Sequence, residues 1–169
     1  MKKAILTMNL ISILFVLSLS ARVLPQDVIW NSDESGYYTI KNNSIVLVST
    51  VGKKDKDILT SSDVSGMKIE SFFFSQDKKK VLIFTNSVRV WRYNTRGDYF
   101  VYDLKSKDGH RLGSSLPEKS LMFAKFSPNS RSVAYVSKEI IPNSFRNSST
   151  RANIYIENIV DKKLTKLTE

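Results

Sequence analysis

The sequence predicts an all-β fold, on three observations. After residue 20 no stretch carries apolar residues at i, i+3, i+4 and i+7 over the ten or more positions that an amphipathic helix needs. Short runs rich in aromatic and β-branched residues recur every 8–15 positions, separated by polar turn residues. One compound pattern of such runs occurs twice, 52–55 residues apart.

Taken in order, the first segment stands outside the fold. Met1-Lys2-Lys3 is a short positive head, Ala4 to Leu19 is almost wholly apolar, and Ser18-Leu19-Ser20 sets small residues where a signal peptidase reads. Residues 1–20 are therefore expected to be a signal peptide, helical until removed. Its apolar run of about 16 residues is short of the roughly 20 that a membrane span needs, and it would touch a membrane only as an uncleaved anchor. Residues 21–35 read as a linker. The strands then begin: Tyr37 to Ile40, a turn at Lys41-Asn42-Asn43, and Ser44 to Ser49. Met67 to Ser75 and Val81 to Thr85 flank the turn Gln76 to Lys80. Asp98 to Leu104, Leu121 to Phe126, Ser132 to Ser137 and Asn153 to Glu157 follow. In the last of these, Ile154 and Ile156 share one face while Asn153, Tyr155 and Glu157 share the other, a period of two. Val133-Ala134-Tyr135-Val136 is apolar on both faces and reads as a strand buried on both sides.

The repeat organises these strands. Phe74-Ser75-Gln76-Asp77 to Val81 lies over Phe126-Ser127-Pro128-Asn129 to Val133, 52 residues on, with Phe, Ser, Asp or Asn, and Val in register. Tyr99 to Leu104 answers Ile154 to Ile159 at an offset of 55. Each unit closes with a polar turn and a short strand, at His110-Arg111-Leu112 and at Lys163 to Leu167. Pro128 pre-sets φ at the second turn position, and Asn129 or Asp77 is expected to take the turn conformation that follows. Four strands repeating about every 50 residues are the pattern of a β-propeller blade. Residues 36–169 supply two such blades and part of a first, whereas a closed ring has four to eight. The expected architecture is an incomplete propeller of about two to three four-stranded antiparallel blades with an unclosed ring, the N-terminal part of a longer protein. Self-association through open sheet edges is a consequence.

Composition sets limits. The chain has 169 residues, 41% of them hydrophobic, and no cysteine, so disulfides and thiolate–zinc sites are excluded. His110 is the single histidine, which rules out a multi-histidine metal centre, and no cofactor is expected. Within Lys107-Asp108-Gly109-His110 it reads as a solvated turn residue. The net charge is +10, falling to +8 when Lys2 and Lys3 leave with the leader. The lysines sit in scattered turns such as Lys78 to Lys80, and no helix carries a basic stripe, so no nucleic-acid partner is expected. Phe72, Phe73, Phe74, Tyr99, Phe100 and Tyr102 read as core and not as a base-stacking platform. Ile141 to Ala152, with Pro142 and many Asn and Ser, reads as an inserted surface loop. Export to the periplasm, the cell envelope or the medium fits the leader.

Several segments resemble one family. Val90-Trp91-Arg92-Tyr93-Asn94 before the Tyr-rich run 99–104, Leu121 to Pro128, Val133 to Val136, and Asn153 to Glu157 before Leu164 to Thr168 match, in order and rough spacing, the N-terminal propeller of dipeptidyl peptidase IV-type serine exopeptidases of the prolyl oligopeptidase group. The resemblance implies an eight-bladed propeller that caps an α/β-hydrolase domain and removes Xaa-Pro or Xaa-Ala dipeptides from free N-termini. It implies that Arg92 reaches into the central cavity and holds a substrate carbonyl. It implies no catalytic residue in this chain. The family's paired glutamates match no Glu-Glu in this sequence, and no Gly-x-Ser-x-Gly elbow occurs. The isolated chain is accordingly expected to be inactive, contributing substrate gating and orientation to the complete enzyme. The alternative is a truncated, non-catalytic propeller module that binds a peptide or protein partner in the cell envelope.

Overall fold

The computed structural model describes residues 28–90, 92–140 and 150–168. The expected signal peptide, Trp91 and most of the expected loop 141–152 lie outside the described residues. The described chain is all-β, with twelve strands and no helix. The first sheet holds β1 (Ile29–Trp30), β2 (Gly36–Lys41), β3 (Ser44–Ser49) and β4 (Lys56–Leu59) in that order. The second holds β5 (Ser71–Phe74), β6 (Lys80–Val90), β7 (Tyr93–Asp103) and β8 (Gly109–Arg111), and the third holds β9 (Leu121–Phe126), β10 (Ser132–Ile140), β11 (Thr150–Asn158) and β12 (Leu164–Lys166). Every pairing is antiparallel. One bridge, Gly97↔Leu121, joins the second sheet to the third. Three four-stranded sheets in chain order, with no ring closed, form the partial propeller that the repeat predicts. Ile29 and Trp30, inside the stretch read as linker, already pair with Tyr38 and Tyr37.

The second sheet is apolar on both faces because it is covered on both. In β6 the five residues Val81 to Thr85 are all buried. Val81 and Ile83 point one way, joining Phe72, Tyr102 and the first sheet's Ile45 and Leu59 in one core. Leu82 and Phe84 point the other way, joining Tyr99, Val101 and the third sheet's Leu121, Val133, Tyr135 and Tyr155 in a second core. Each fully buried aliphatic or aromatic side chain is worth about 1.5–3 kcal/mol, so the contacts between sheets hold the stack together more than any single turn does.

The hairpin turns repeat down to individual atoms. Ser75 Oγ donates to Asp77 Oδ1 at 2.7 Å, and Ser127 Oγ donates to Asn129 Oδ1 at 2.7 Å. Lys79 N and Arg131 N donate to those same acceptors at 3.1 and 3.0 Å. The left-handed residue is one position later than the sequence suggests. Lys78 (φ 52°) and Ser130 (φ 57°) adopt it, while Asp77 and Asn129 serve as side-chain acceptors. The two turns also touch, through Asp77 N donating to Ser130 Oγ at 3.2 Å.

The third sheet corrects one expectation. In β10, Val133 and Tyr135 are buried, but Ala134 and Val136 on the opposite face are only partly covered. In β11, Asn153, Tyr155 and Glu157 are buried, while Ile154 and Ile156 are 44% and 37% exposed. The inward oxygens find partners: Thr168 Oγ1 donates to Asn153 Oδ1 at 3.0 Å, and Glu157 takes two hydrogen bonds described below, while the buried Asn153 Nδ2 has no partner among the described residues. By the repeat, Ala134, Val136, Ile154 and Ile156 stand where Leu82, Phe84, Tyr99 and Val101 stand in the second sheet. Those four are covered by the third sheet, and their counterparts have no comparable cover among the described residues.

Candidate functional site

The one site residue predicted from sequence, Arg92, lies at the tip of a hairpin arm. Strands β6 and β7 pair regularly from Lys80↔Asp103 to Thr85↔Asp98. A β-bulge follows, with Asn86 and Ser87 opposite Gly97. Pairing resumes at Val88↔Arg96 and, after a second irregularity, at Val90↔Tyr93. The strands are thus 11 residues each, about twice the usual length, and the extra length projects past the sheet. The sequence pattern ends one strand at Thr85 and begins the next at Asp98, because Asn86, Ser87, Asn94 and Gly97 look like turn residues. The alternating Val88 and Val90 and the run Tyr93 to Thr95 are the available signal for the arm.

The arm carries three arginines, Arg89, Arg92 and Arg96, and no acidic residue between 86 and 97. Arg92 sits in the turn and is exposed, beside Tyr93, which is 71% exposed. Arg96 lies lower on the arm, and its buried Nε has no hydrogen-bond partner among the described residues. A guanidinium is always charged and offers fixed donors suited to carbonyl and carboxylate oxygens. The tip can therefore hold a peptide oxygen.

The base of the arm is built around one buried carboxylate and partly buried charges that no sequence pattern marks. Asp98 is 2% exposed. Its Oδ1 accepts from Arg111 Nε at 3.1 Å and Lys119 N at 2.8 Å, and lies 3.0 Å from Arg111 Nη2. Its Oδ2 accepts from Asn86 Nδ2 at 3.1 Å. Arg111 also donates to the carbonyls of Gly113 and Pro117, at 3.0 and 2.9 Å. On the other side, Glu70 Oε1 accepts from Ser87 N at 3.0 Å.

His110 is not the solvated turn residue expected. It lies in β8 opposite Val101, is half-buried, and its Nε2 is buried without a hydrogen-bond partner among the described residues. Burial, and secondarily the nearby Lys162, hold its pKa below 6.5. It borders a cavity of about 280 Å³ with Lys80, Asp103, Asp108 and Lys162. Among the described residues, no group of three or more His, Cys, Asp or Glu is placed to hold a metal ion, and no helix is long and apolar enough to cross a membrane.

The repeated four-stranded sheets, their two shared cores and the unclosed ring define a β-propeller domain segment. Residues 75–169, more than half of the chain, match the family model of the dipeptidyl peptidase IV N-terminal region, and the chain belongs to that family. It is 32% identical to dipeptidyl aminopeptidase B of Saccharomyces cerevisiae over 138 residues, covering 79% of this chain and 15% of the yeast protein. It is 29% identical over 106 residues to the probable dipeptidyl-aminopeptidase B of Aspergillus terreus, covering 63% of this chain and 10% of that protein. Among solved structures, dipeptidyl peptidase 4 of Porphyromonas gingivalis superposes with a TM-score of 0.66 at 18% identity, over 85% of this chain and 19% of that one. The tricorn protease gives a TM-score of 0.52 at 13% identity, over 84% of this chain and 13% of that one. The chain thus spans between a tenth and a fifth of the length of these four proteins, and the two superpositions speak to the fold alone.

Proposed function

We propose that this chain is the N-terminal propeller portion of an exported serine dipeptidyl peptidase that releases Xaa-Pro or Xaa-Ala dipeptides from peptide N-termini. Its part is to gate and orient the substrate, with Arg92 donating to a substrate carbonyl. The acyl-transfer machinery of such an enzyme, with its nucleophile, base and oxyanion donors, belongs to a hydrolase domain that these 169 residues do not include. The observation that carries this reading is the family match over residues 75–169 together with an exposed arginine, Arg92, at the tip of the projecting arm. The test uses the whole reading frame that contains this chain. It should continue into a Glu-Glu segment and a Gly-x-Ser-x-Gly motif, and the encoded protein should cleave an Ala-Pro reporter. Arg92→Ala should lower its kcat/KM by about tenfold or more, the loss expected of one charged hydrogen bond. A frame without the serine motif, or an Arg92→Ala enzyme with unchanged kcat/KM, would refute the proposal or the role of Arg92 respectively.

A further inference from the structure

We infer that Asp98 is a positioning residue that sets the direction of the arm and so the place of Arg92, an inference that rests on reading Arg92 as the substrate contact. The sheet ends and the arm begins at the bulge Asn86-Ser87, and two carboxylates hold that bulge from its two sides. Asp98 Oδ2 accepts from the Asn86 side chain, and Glu70 Oε1 accepts from the Ser87 backbone. Asn86 is in the left-handed region (φ 51°), which asparagine tolerates better than most residues.

The other strand leaves no slack. A Cβ on Gly97 would fall 2.5 Å from Thr85 O and 2.6 Å from Phe84 Cε2, so the two strands approach each other closely here. Loss of the bulge would slip β6 by one residue against β7 and turn the β6 side chains beyond it to the opposite face. Arg89 would then change sides, and the turn that carries Arg92 would be displaced with it.

The two oxygens of Asp98 divide the task. Oδ1 binds Arg111 and Lys119, and so ties the arm's base to the connection leading into the third sheet. Oδ2 binds the bulge. A carboxylate this deeply buried is tolerated when it is fully paired, and Arg111 with Lys119 N already neutralise and solvate Oδ1. The bond from Oδ2 to Asn86 adds register to that arrangement.

The test is hydrogen–deuterium exchange of the full 169-residue chain, read by mass spectrometry over residues 88–96 and, as reference, over the β2–β3 hairpin. Asn86→Asp sets a carboxylate against Asp98 while leaving the partners of Oδ1 in place. Its arm amides should exchange about tenfold faster or more, with the reference hairpin unchanged. Adding Asp98→Asn restores a donor and an acceptor with polarity reversed, and arm exchange should return toward wild type. Three outcomes would overturn the inference: wild-type arm exchange in Asn86→Asp, faster exchange spread evenly over arm and hairpin, or no recovery in a folded double variant. If the double variant does not fold, Asn86→Asp decides alone. Arg92→Ala should leave the exchange map as it is. A clamp that passes this test beside an Arg92→Ala enzyme of unchanged kcat/KM would therefore fault the substrate role and not the clamp.

Discussion

The Tyr135 hydroxyl donates to Glu157 Oε2 at 2.6 Å, on the inner face of the third sheet. Gly113 N donates to the same oxygen at 2.7 Å. Gly113 follows the last strand of the second sheet, so one buried carboxylate fastens the end of that sheet to β10 and β11. Burial first, and the Glu157 carboxylate second, push the Tyr135 hydroxyl far above the usual tyrosine range. The hydroxyl therefore keeps its proton, and its role as donor, at neutral pH.

Tyr135→Phe removes that donor and leaves Glu157 buried with Gly113 N. An under-satisfied buried charge costs about 1–3 kcal/mol. The expected outcome is a destabilisation of that order in a urea melt with unchanged slope. Glu157→Gln, which keeps an acceptor for Gly113 N and Tyr135, should cost less than Tyr135→Phe. Equal stability of Tyr135→Phe and wild type would remove the Tyr135–Glu157 pair from the forces that hold the sheets together.

Acid should weaken the fold through His110. Its folded pKa lies below 6.5, so as pH falls from about that value the unfolded chain takes up a proton first. Stability is then complete above the unfolded pKa and is lost as pH falls through the folded one. Asp77 and Asp103, with pKa values lowered chiefly by hydrogen bonds from Ser75 and Ser106, act in a separate window, losing their contribution only on acidification below about 3.8. His110 is the single histidine of the chain, and a fall in melting temperature is expected from it as pH drops below about 6.5. His110→Gln should flatten that part of the profile, and a slope that survives the substitution would contradict this assignment.

The sheets are legible in the sequence because their signals are local. Phe74-Ser75 to Val81 and Phe126-Ser127 to Val133 are short and share Phe, Ser and Val in register, and the repeat carries both the strand count and the unclosed ring. The partners of the buried carboxylates are not legible. Asp98 meets Arg111 from the neighbouring strand and Lys119 from the loop beyond it, while Glu157 meets Gly113 from 44 residues away. Such pairings are fixed by how sheets stack, and no spacing rule reports them. The same holds for the inward turn of Asn153, Tyr155 and Glu157. Period two reveals two faces in β11, but only the neighbouring sheet decides which is covered. His110 is easily misread because Gly109 resembles a turn glycine. The real reason for that glycine is steric: a Cβ there would run into the Tyr102 ring.

The 169-residue chain by itself should release no chromophore from a Gly-Pro or Ala-Pro reporter. Serine acyl transfer needs a nucleophile on a strained turn and a base within hydrogen-bond reach. The sequence holds no Gly-x-Ser-x-Gly, and its one imidazole has a buried Nε2 with no partner among the described residues. Turnover that co-purifies with the chain and persists in His110→Gln would show a catalytic group of another kind.

The same polypeptide should associate through the outer face of its third sheet. Val136 stands opposite Ile154 and Ala134 opposite Ile156 on adjacent strands. Leu167, bonded through its backbone N to Ile154 O, is 55% exposed beside them. The equivalent residues of the second sheet are buried in a shared core, so this surface has the pattern of an inter-sheet contact and the solvation of an exterior. Apolar surface of this kind gains about 25 cal/mol for each Å² it hides, and another molecule's surface is the cover available in dilute solution. Ile154→Lys with Ile156→Lys points two charges outward from β11 without touching Asn153, Tyr155 or Glu157. Sedimentation should show the wild-type chain in larger species than the double variant, with dye binding to exposed apolar surface reduced in the variant and β-sheet circular dichroism retained. A wild-type chain that sediments as a monomer at the same concentrations would mean that this face is not what drives association.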